Sequence, residues 1–320
     1  MAIIRPEQMD FSGQKFSAII YGAPGVGKTT LALSSPNPVL IDFDHGVSRV
    51  QAQHRAPTIM CANYEEVQGD IHSKEINSFE TVVIDTGGSF VTFLKDWAFR
   101  TKQDARTKSG EFNNMKGFGY VKSEFSTFAD YVKTVLNKNV IFIFHSTEEK
   151  DKDGSVTQRL MCEGSARNTV WNSCDFGGYV QMIGRERKIC FTPTQEYFAK
   201  GTHGIVGEIS IPELTPGVPN DFMTKLFAKA RKSIVAENEA NKQAIAKYEE
   251  VLATVREMLE QVTDVQTANL AAKNIPTLEH VLTSKRESSV LLKNKAKELG
   301  LVYDKERGCY AAPEDAMGEA

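Results

Sequence analysis

The feature that most constrains the fold of this chain is the stretch GAPGVGKT, Gly22–Thr29, which follows an apolar run and precedes a helical pattern. It matches GxxxxGK[ST] in full, and the flanking strand and helix supply the context that this pattern requires. The glycines let backbone N–H groups surround phosphates, while Lys28 supplies positive charge and the Thr29 hydroxyl a ligand for Mg2+. The sequence therefore predicts a nucleotide site with Mg2+, formed by Gly22, Ala23, Pro24, Gly25, Val26, Gly27, Lys28, Thr29 and Thr30.

The surrounding sequence alternates short apolar runs with helical patterns, which is typical of an α/β domain with a mainly parallel central sheet. The predicted strands are Phe16–Tyr21, Val39–Asp42, Thr81–Asp85 and Val140–Phe144. The predicted helices are Lys28–Ser34, Ser89–Arg100 and Tyr120–Leu136, and hairpins are expected after residue 176. Because open α/β sheets bind ligands at the carboxyl ends of their strands, functional side chains are expected there.

Three prolines, Pro212, Pro216 and Pro219, lie in a turn-rich stretch that predicts a domain boundary. We therefore expect an ATPase domain over residues 1–215 and a mostly α-helical region over 216–320 that serves oligomerisation or the binding of DNA or a partner. The second region is rich in Ala, Glu, Lys and Leu at helical spacing. It predicts a long helix over 236–262, shorter helices over Val265–Lys273 and Ser284–Leu299, a hairpin in LVYDKERGCYA and an acidic tail.

The composition argues against several other classes of protein. The 320 residues are 41% hydrophobic and 25% charged with a net charge of −3, which is typical of a globular protein that does not attract nucleic acid over its whole surface. The five cysteines have neither CxxC nor zinc-finger spacing, so we expect reduced thiols and no zinc site. No segment is apolar over the length of a signal peptide or a membrane span, so we expect a cytoplasmic protein without membrane association.

The segment TVVIDTGG predicts the acidic partner of Mg2+. Its strand residues end at Asp85, and the small residues that follow leave room for a phosphate. A carboxylate there would hold Mg2+ through water, whereas the alternative is that Asp85 only caps the next helix. The nearest match to the guanine-reading NKxD motif is NKNV, Asn137–Val140, which lacks the aspartate, so ATP is favoured over GTP.

Two further strand ends resemble those of RecA-like ATPases. In VLIDFDHG, Asp44 matches the acidic residue that activates the attacking water, with Asp in place of the usual Glu. In VIFIFHSTEE, His145 matches a residue, usually an amide, that senses the γ-phosphate and passes its state to the next loop. A strand-ending turn at DFDHG and a packing or capping histidine are the alternatives.

With the phosphate loop and TVVIDTGG, these segments make residues 14–210 similar to the RecA-like nucleotide-binding proteins of bacteriophages, some of which anneal single strands in recombination. The resemblance implies that Lys28, Asp44, Asp85 and His145 are the catalytic residues. It also implies a homo-oligomer, ring or filament, in which a neighbouring subunit supplies positive charge to the ATP site. The candidates for that charge are Arg185, Arg187, Lys188 and Lys200, with solvated strand charges as the alternative.

Several segments are candidates for contacts with single-stranded DNA. Between Lys95 and Lys122 basic residues outnumber acidic ones and aromatic residues lie among them, as in loops that bind single strands. The segment after His145 matches the position of the second DNA loop of RecA-like proteins but carries more acidic than basic residues. In the C-terminal region, KLFAKARK and KRESSVLLKNKAK either follow a phosphate backbone or are solvated helix faces.

The sequence therefore favours a DNA-stimulated, RecA-like ATPase of recombination or single-strand annealing, in the cytoplasm of a bacterial host if a phage encodes it. One alternative is a phage motor or loader ATPase, for packaging or replication, that docks a protein partner through its C-terminal helices. A small-molecule phosphotransferase is another, because kinases share the phosphate loop.

Overall fold

The computed structural model describes residues 4–150, 154–163, 166–215 and 217–313, apart from the side chains of Glu7 and Ala166. The chain forms two compact units. The larger is Phe11–Ile234, and the smaller combines the chain up to Asp10 with the chain from Val235 onward.

The larger unit is built on one sheet, in which the structure describes nine strands. Their order is β3-β2-β4-β5-β1-β7-β8-β9, and β6 pairs with the outer half of β5. All pairs from β3 to β7 are parallel, while β6, β8 and β9 are joined antiparallel. The bounds are β1 Ser17–Gly22, β2 Pro38–Asp42, β3 Thr58–Met60, β4 Thr81–Asp85, β5 Asn139–Lys150, β6 Val156–Leu160, β7 Phe176–Ile183, β8 Glu186–Cys190 and β9 Glu208–Ser210.

Helices cover both faces of this sheet, as a parallel sheet requires. They are α1 Lys28–Ala32, α2 Tyr64–Ile71, α3 Gly87–Thr101, α4 Asn114–Asp130 and α5 Ala166–Asn172, followed by the first turns of α6 Phe222–Glu260. Side chains of α2, α3 and α4 pack with one face of the strands, and side chains of α1 and α6 pack with the other. The strands are therefore buried on both sides, which explains why β1, β2, β4 and β5 read as continuous apolar runs in the sequence.

The predicted α/β class with a mainly parallel sheet is confirmed, and all four predicted strands and three predicted helices are present. The largest differences are that β5 extends to Lys150 and that α4 begins at Asn114. The segment after His145 lies only partly within the described residues, because residues 151–153 and 164–165 fall outside them. Its described part forms the outer half of β5 together with β6.

The division between the units lies inside α6, not at the prolines near residue 215. The first turns of α6 belong to the larger unit because Met223, Phe227 and Ala230 are buried in its core. The backbone N–H of Met223 also donates to Ser34 Oγ at 2.9 Å. Since the helical pattern runs on past Ile234 without a proline or glycine, the sequence gives no sign of this boundary.

The smaller unit contains the rest of α6, the helices α7 Val265–Asn274 and α8 Ser284–Glu298, and the hairpin of β10 Val302–Asp304 with β11 Cys309–Ala311. Its core centres on Val255, Ala268 and Leu292. Asp264 caps α7 by accepting from the Thr267 N–H at 2.8 Å. The predicted helices and hairpin are therefore present, although the long helix begins at Phe222 and not at residue 236. The predicted acidic tail lies outside the described residues from residue 314 onward. In the described part of the chain, no helix is both long and apolar enough to span a membrane.

Candidate nucleotide-binding site

The register of the parallel strands brings the predicted site residues to one edge of the sheet. Gly22, which begins the phosphate loop, lies opposite His145 on β5. Asp42, the last residue of β2, lies opposite Asp85, the last residue of β4. Because β5 is inserted between β1 and β4, His145 stands between the phosphate loop and Asp85.

The phosphate loop depends on glycine at two positions for different reasons. At Gly22, a β-carbon would lie 2.4 Å from the backbone oxygen of Val180 on β7, so the close approach of two parallel strands excludes a side chain. At Gly27, the φ angle is +80°, a left-handed conformation that disfavours other residues, and a β-carbon would lie 2.2 Å from Arg187 Nη1. The glycines therefore serve the loop's own packing as well as its predicted approach to phosphate.

Lys28 is buried within the loop that it completes. Its Nζ donates to the backbone oxygens of Gly22 at 3.0 Å and Ala23 at 2.8 Å. Burial lowers the pKa of Lys28 to about 8, while the charge of Asp85 acts in the opposite direction. The ammonium is thus held without a contacting carboxylate among the described residues, ready to interact with an anion.

Thr29 and Asp85 form the predicted Mg2+ pair. The Thr29 hydroxyl donates to Asp85 Oδ2 at 2.7 Å, so the two groups already converge on one point. Burial raises the pKa of Asp85, and the nearby carboxylates of Asp44 and Asp42 add to this, while the Thr29 hydrogen bond and Lys28 oppose it. A hydroxyl and one carboxylate suit Mg2+, which is usually held by one or two protein oxygens together with water and phosphate. In keeping with this, the described residues contain no cluster of three or more His, Cys, Asp or Glu that would form an all-protein cage.

The two aspartates after β2 have different roles. Asp42 is buried and its two carboxylate oxygens accept from the N–H groups of Gly46 at 2.9 Å and Val47 at 2.8 Å, so it shapes the following loop. Asp44 is only partly buried and faces the start of α3, where its Oδ1 accepts from the Ser89 hydroxyl and lies 3.5 Å from Thr86 Oγ1. Of the two, Asp44 has the more accessible carboxylate and lines the cavity beside Asp85.

His145 lies beside Lys28, with 3.4 Å between its Nδ1 and Lys28 Nζ. Burial, the charge of Lys28 and the charge of Arg49 lower the pKa of His145 below its usual 6.5, and Asp44 opposes them. The ring is therefore neutral near pH 7 and can hydrogen-bond to a phosphate without adding positive charge.

These residues enclose a cavity of about 540 Å³ at the carboxyl edge of the sheet. It brings together the predicted Lys28, Thr29, Asp44, Asp85 and His145. It also has residues to which the sequence analysis gave no role: Gly46, Arg49, Val50 and Thr86. Gly46 and Thr86 lie in VLIDFDHG and TVVIDTGG, whereas Arg49 and Val50 belong to no recognisable motif and line the site because the loop after β2 folds back toward the phosphate loop.

The basic residues predicted to act on a neighbouring subunit occupy different positions. Arg187 contacts its own phosphate loop, with Nη1 3.4 Å from the Val26 oxygen, and burial lowers its pKa. Lys188 lies 3.9 Å from Glu186 and 3.8 Å from Glu208. Lys200 lies at the opposite edge of the sheet from the phosphate loop, where its Nζ donates to the Cys174 oxygen just before β7.

Arg185 does occupy a hairpin tip. It lies with Gly184 in the turn between β7 and β8, and it is exposed. Because β7 runs parallel to β1, this turn extends beyond the same edge of the sheet as the phosphate loop. Among the described residues, Arg185 is the one of the four candidates whose side chain has neither a salt bridge nor a hydrogen bond, and its exposed position fits the predicted contact with another subunit.

The basic segment between Lys95 and Lys122 has part of its charge paired within the chain. Lys95 pairs with Glu163 at 2.9 Å, Arg100 with Glu65 at 2.8 Å and with Asp96 at 2.8 Å, and Lys116 with Asp104 at 3.0 Å. The Lys95 ammonium also lies 5.3 Å from the centre of the Phe112 ring. Among the described residues, the other four basic side chains have no salt-bridge partner: Lys102, Arg106, Lys108 and Lys122.

The run KLFAKARK is partly engaged too. Lys225 pairs with Asp221 at 2.9 Å, and the Arg231 guanidinium donates to the Gln14 oxygen at 3.1 Å. The run KRESSVLLKNKAK is different: it lies on α8, where Arg286, Lys293 and Lys297 are exposed. Among the described residues, these three side chains have no salt-bridge or hydrogen-bond partner.

Comparison with known proteins agrees with the geometry of the site. A protein-family model described as "AAA domain" matches residues 14–203, which include the phosphate loop, Asp44, Asp85 and His145. No curated protein matches the chain. The predicted P-loop ATPase is thus supported by the site and by the family.

Proposed function

The chain belongs to the AAA domain family of nucleotide-binding ATPases, and we propose that it is a RecA-like ATPase that binds single-stranded DNA as a homo-oligomer. It would act in recombination or single-strand annealing in the cytoplasm, that of a bacterial host if a phage encodes it. This proposal refines the family assignment, which itself extends to ATP binding and hydrolysis with Mg2+.

The observation that carries the proposal is the course of β5. Residues 139–144 are buried, and His145 follows at the nucleotide site. The strand then leaves the core, and Ser146–Lys150 pair antiparallel with β6. His145, which we propose senses the γ-phosphate, is therefore continuous with a ribbon, and in RecA-like proteins a DNA-binding loop follows the corresponding residue.

The site residues have distinct chemical tasks in hydrolysis. The backbone N–H groups of the loop and the Lys28 ammonium bind the β- and γ-phosphates and orient the γ-phosphate. Asp44 accepts a proton from the water that attacks the γ-phosphorus, and the bond to the β-phosphate oxygen breaks. Thr29 and Asp85 would hold Mg2+, which neutralises charge on the phosphates when bound. His145 hydrogen-bonds to the γ-phosphate while that group is present.

The outward face of α8 supports DNA as the partner. Arg286, Lys293 and Lys297 stand at positions i, i+7 and i+11, on the side of the helix away from the buried Ser288 and Leu292. Unpaired cations at this spacing can follow a phosphate backbone and release its counterions. Their availability distinguishes them from Arg100 and Lys116, which are paired with carboxylates.

Assembly into a homo-oligomer would complete the site. Charge that develops on the transferred phosphoryl group is often stabilised by an arginine from a neighbouring subunit. Arg185 fits this task because it is exposed at the tip of the β7–β8 hairpin. If so, Arg185→Ala should lose hydrolysis, and a mixture with a Lys28→Ala protein should regain part of it, because hybrid interfaces combine the intact halves.

The deciding experiment measures ATPase rate and DNA binding together. We expect single-stranded DNA to raise the ATPase rate, and the affinity for DNA to fall as salt rises. The triple variant Arg286→Ala, Lys293→Ala, Lys297→Ala should reduce the slope of log K against log salt by about 2, because each of the three lost phosphate contacts contributes about 0.7 to that slope. The matched control Lys242→Ala, Lys273→Ala, Lys305→Ala removes equal charge from the same unit and should leave the slope unchanged. Absence of DNA binding at low salt in every nucleotide state would refute the recombination role.

A motor or loader ATPase is the second candidate, favoured by exposed apolar side chains in the smaller unit. Leu270, Leu282 and Val290 are each more than half exposed, so they could dock a protein partner. That function predicts ATPase stimulation by the partner protein and none by DNA. A phosphotransferase is less well supported, because a cavity of about 640 Å³ among the described residues adjoins Pro38 at the amino end of β2 and so faces away from the phosphate loop.

A further inference from the structure

The loop after β2 is held in a fixed shape by its own residues. Phe43 at its start and Val50 at its end are buried. Between them, both oxygens of the Asp42 carboxylate accept backbone hydrogen bonds from Gly46 and Val47, and a turn of 3-10 helix follows over Val47–Arg49. The backbone of Arg49 therefore has a defined position beside the nucleotide cavity.

The guanidinium of Arg49 lies against Gly46. A β-carbon at Gly46 would stand 2.0 Å from Arg49 Nη2 and 2.8 Å from its Cζ. Gly46 has a φ of −97° and a ψ of −2°, which any residue can adopt, so its lack of a side chain provides space for the guanidinium rather than backbone freedom. Glycine at 46 and arginine at 49 are therefore matched in shape.

Arg49 lines the cavity together with Lys28, Asp44, Asp85 and His145. Within the described ranges of the chain, no carboxylate lies within salt-bridge distance of its guanidinium, although Asp44 and Asp85 line the same cavity. Its charge contributes, after burial and Lys28, to lowering the pKa of His145. Arg49 therefore shares the cavity with Lys28 and His145, the two residues proposed to contact the terminal phosphate.

We propose that Arg49 binds the terminal phosphate of ATP within its own subunit and distinguishes ATP from ADP. A planar guanidinium can donate two parallel hydrogen bonds to phosphate oxygens. In ATP, the γ-phosphate would neutralise the unpaired charge of the guanidinium. ADP has no group at that place that could do so. Loss of the phosphate on hydrolysis would thus release the loop 43–50 from the nucleotide.

Because this inference rests on the proposed ATP hydrolysis, the test begins with binding, which needs no turnover. Fluorescence titration gives the affinities for ATPγS and ADP. Arg49→Ala should weaken ATPγS binding about tenfold or more and leave ADP binding within about threefold. Gly46→Ala keeps every charge but displaces the guanidinium, so it should reproduce the loss of preference for ATPγS. The control Arg256→Ala removes an exposed arginine of the smaller unit and should match the wild type.

Single-turnover hydrolysis is the second readout. Arg49→Ala should be slower by about 100-fold, and Arg49→Lys should recover part of the binding preference without the full rate, because a lysine cannot donate in the same planar geometry. Thermal unfolding without nucleotide confirms that each variant is folded.

The inference is overturned if Arg49→Ala leaves the ratio of ATPγS to ADP affinity unchanged. If both affinities fall by the same factor, the guanidinium contacts a part of the nucleotide that ATPγS and ADP share, such as the base or the ribose. A wild-type protein that binds both nucleotides but hydrolyses no ATP, with or without DNA, refutes the proposed function instead. The binding ratio still decides the role of Arg49 in that case.

Discussion

The buried ammonium of Lys28 predicts that nucleotide affinity depends on pH. Without nucleotide, burial holds the pKa of Lys28 at about 8, well below the ordinary 10.5. Phosphate oxygens beside the ammonium favour its charged form and raise that pKa again. Above about pH 8, nucleotide binding must therefore be accompanied by the uptake of one proton at Lys28, and affinity should fall as pH rises.

The magnitude follows from the difference between the two pKa values. Between about pH 7 and about pH 9.5 the charged fraction of Lys28 in the free protein falls by about 30-fold, so the dissociation constant for ATPγS should rise by a similar factor. Folding stability should change in the opposite sense. A lysine whose pKa is lower in the folded than in the unfolded chain lowers the free energy of unfolding at low pH. This free energy rises again as the pH increases from the folded pKa toward the unfolded pKa. The nucleotide-free protein should gain about 2 kcal/mol over the same range.

Titration with ATPγS in a buffer series of constant ionic strength measures the first effect, and urea unfolding measures the second. The Lys28→Met variant serves as the control for both, because it retains the buried stem without the titrating group. His145 is not a competing explanation, since its lowered pKa keeps it neutral throughout this range. Equal ATPγS affinities at both ends of the range would refute the picture of a buried, unpaired ammonium at this site.

Three substitutions test other parts of the site. Asp44→Asn should slow single-turnover hydrolysis by at least about 100-fold with ATPγS affinity almost unchanged; a wild-type rate would assign the base elsewhere. Asp85→Asn should raise the Mg2+ concentration that half-saturates the ATPase by about tenfold, whereas an unchanged Mg2+ dependence would reduce Asp85 to a helix cap. Gly27→Ala should destabilise the protein by about 1–3 kcal/mol in urea unfolding, because of its φ of +80° and the contact with Arg187. Adding Arg187→Ala should remove the steric contact but not the strain of the positive φ, so only part of the stability should return. Full recovery of stability would contradict the role of φ.

The parts of the fold that the sequence predicted are those whose signal is local. β1, β2 and β4 are apolar runs that end at Gly22, Asp42 and Asp85, because both faces of these strands are buried. β3 and β9 have three residues each and were not predicted, because they are short, partly exposed strands at the two edges of the sheet and so form no continuous apolar run. The unit boundary within α6 was also not predictable, because the helix pattern is continuous across it.

The site divides in the same way. Lys28 and Thr29 belong to a motif, and Asp85 follows a strand, so the residue types alone placed them together. Arg49 carries no such sign, because its place in the cavity depends on how Asp42 folds the next loop. Lys95 and Arg100 show the converse limit: their charges are visible in the sequence, but the carboxylates that pair with them are not.

The structure also bears on whether an aspartate can replace the usual glutamate at position 44. The shorter side chain matters only if the carboxylate must reach across the site from β2. Instead, Asp44 lies two residues beyond the end of β2 and contacts Ser89 and Thr86, which are at the start of α3. Thr86 directly follows Asp85 and also accepts from the Ser89 N–H at 3.2 Å as the cap of α3. The carboxylate is therefore positioned by the same turn that follows Asp85, the proposed Mg2+ ligand. Because this turn sets where the two carboxylates lie, one methylene less in the side chain does not by itself prevent Asp44 from serving as the proposed base.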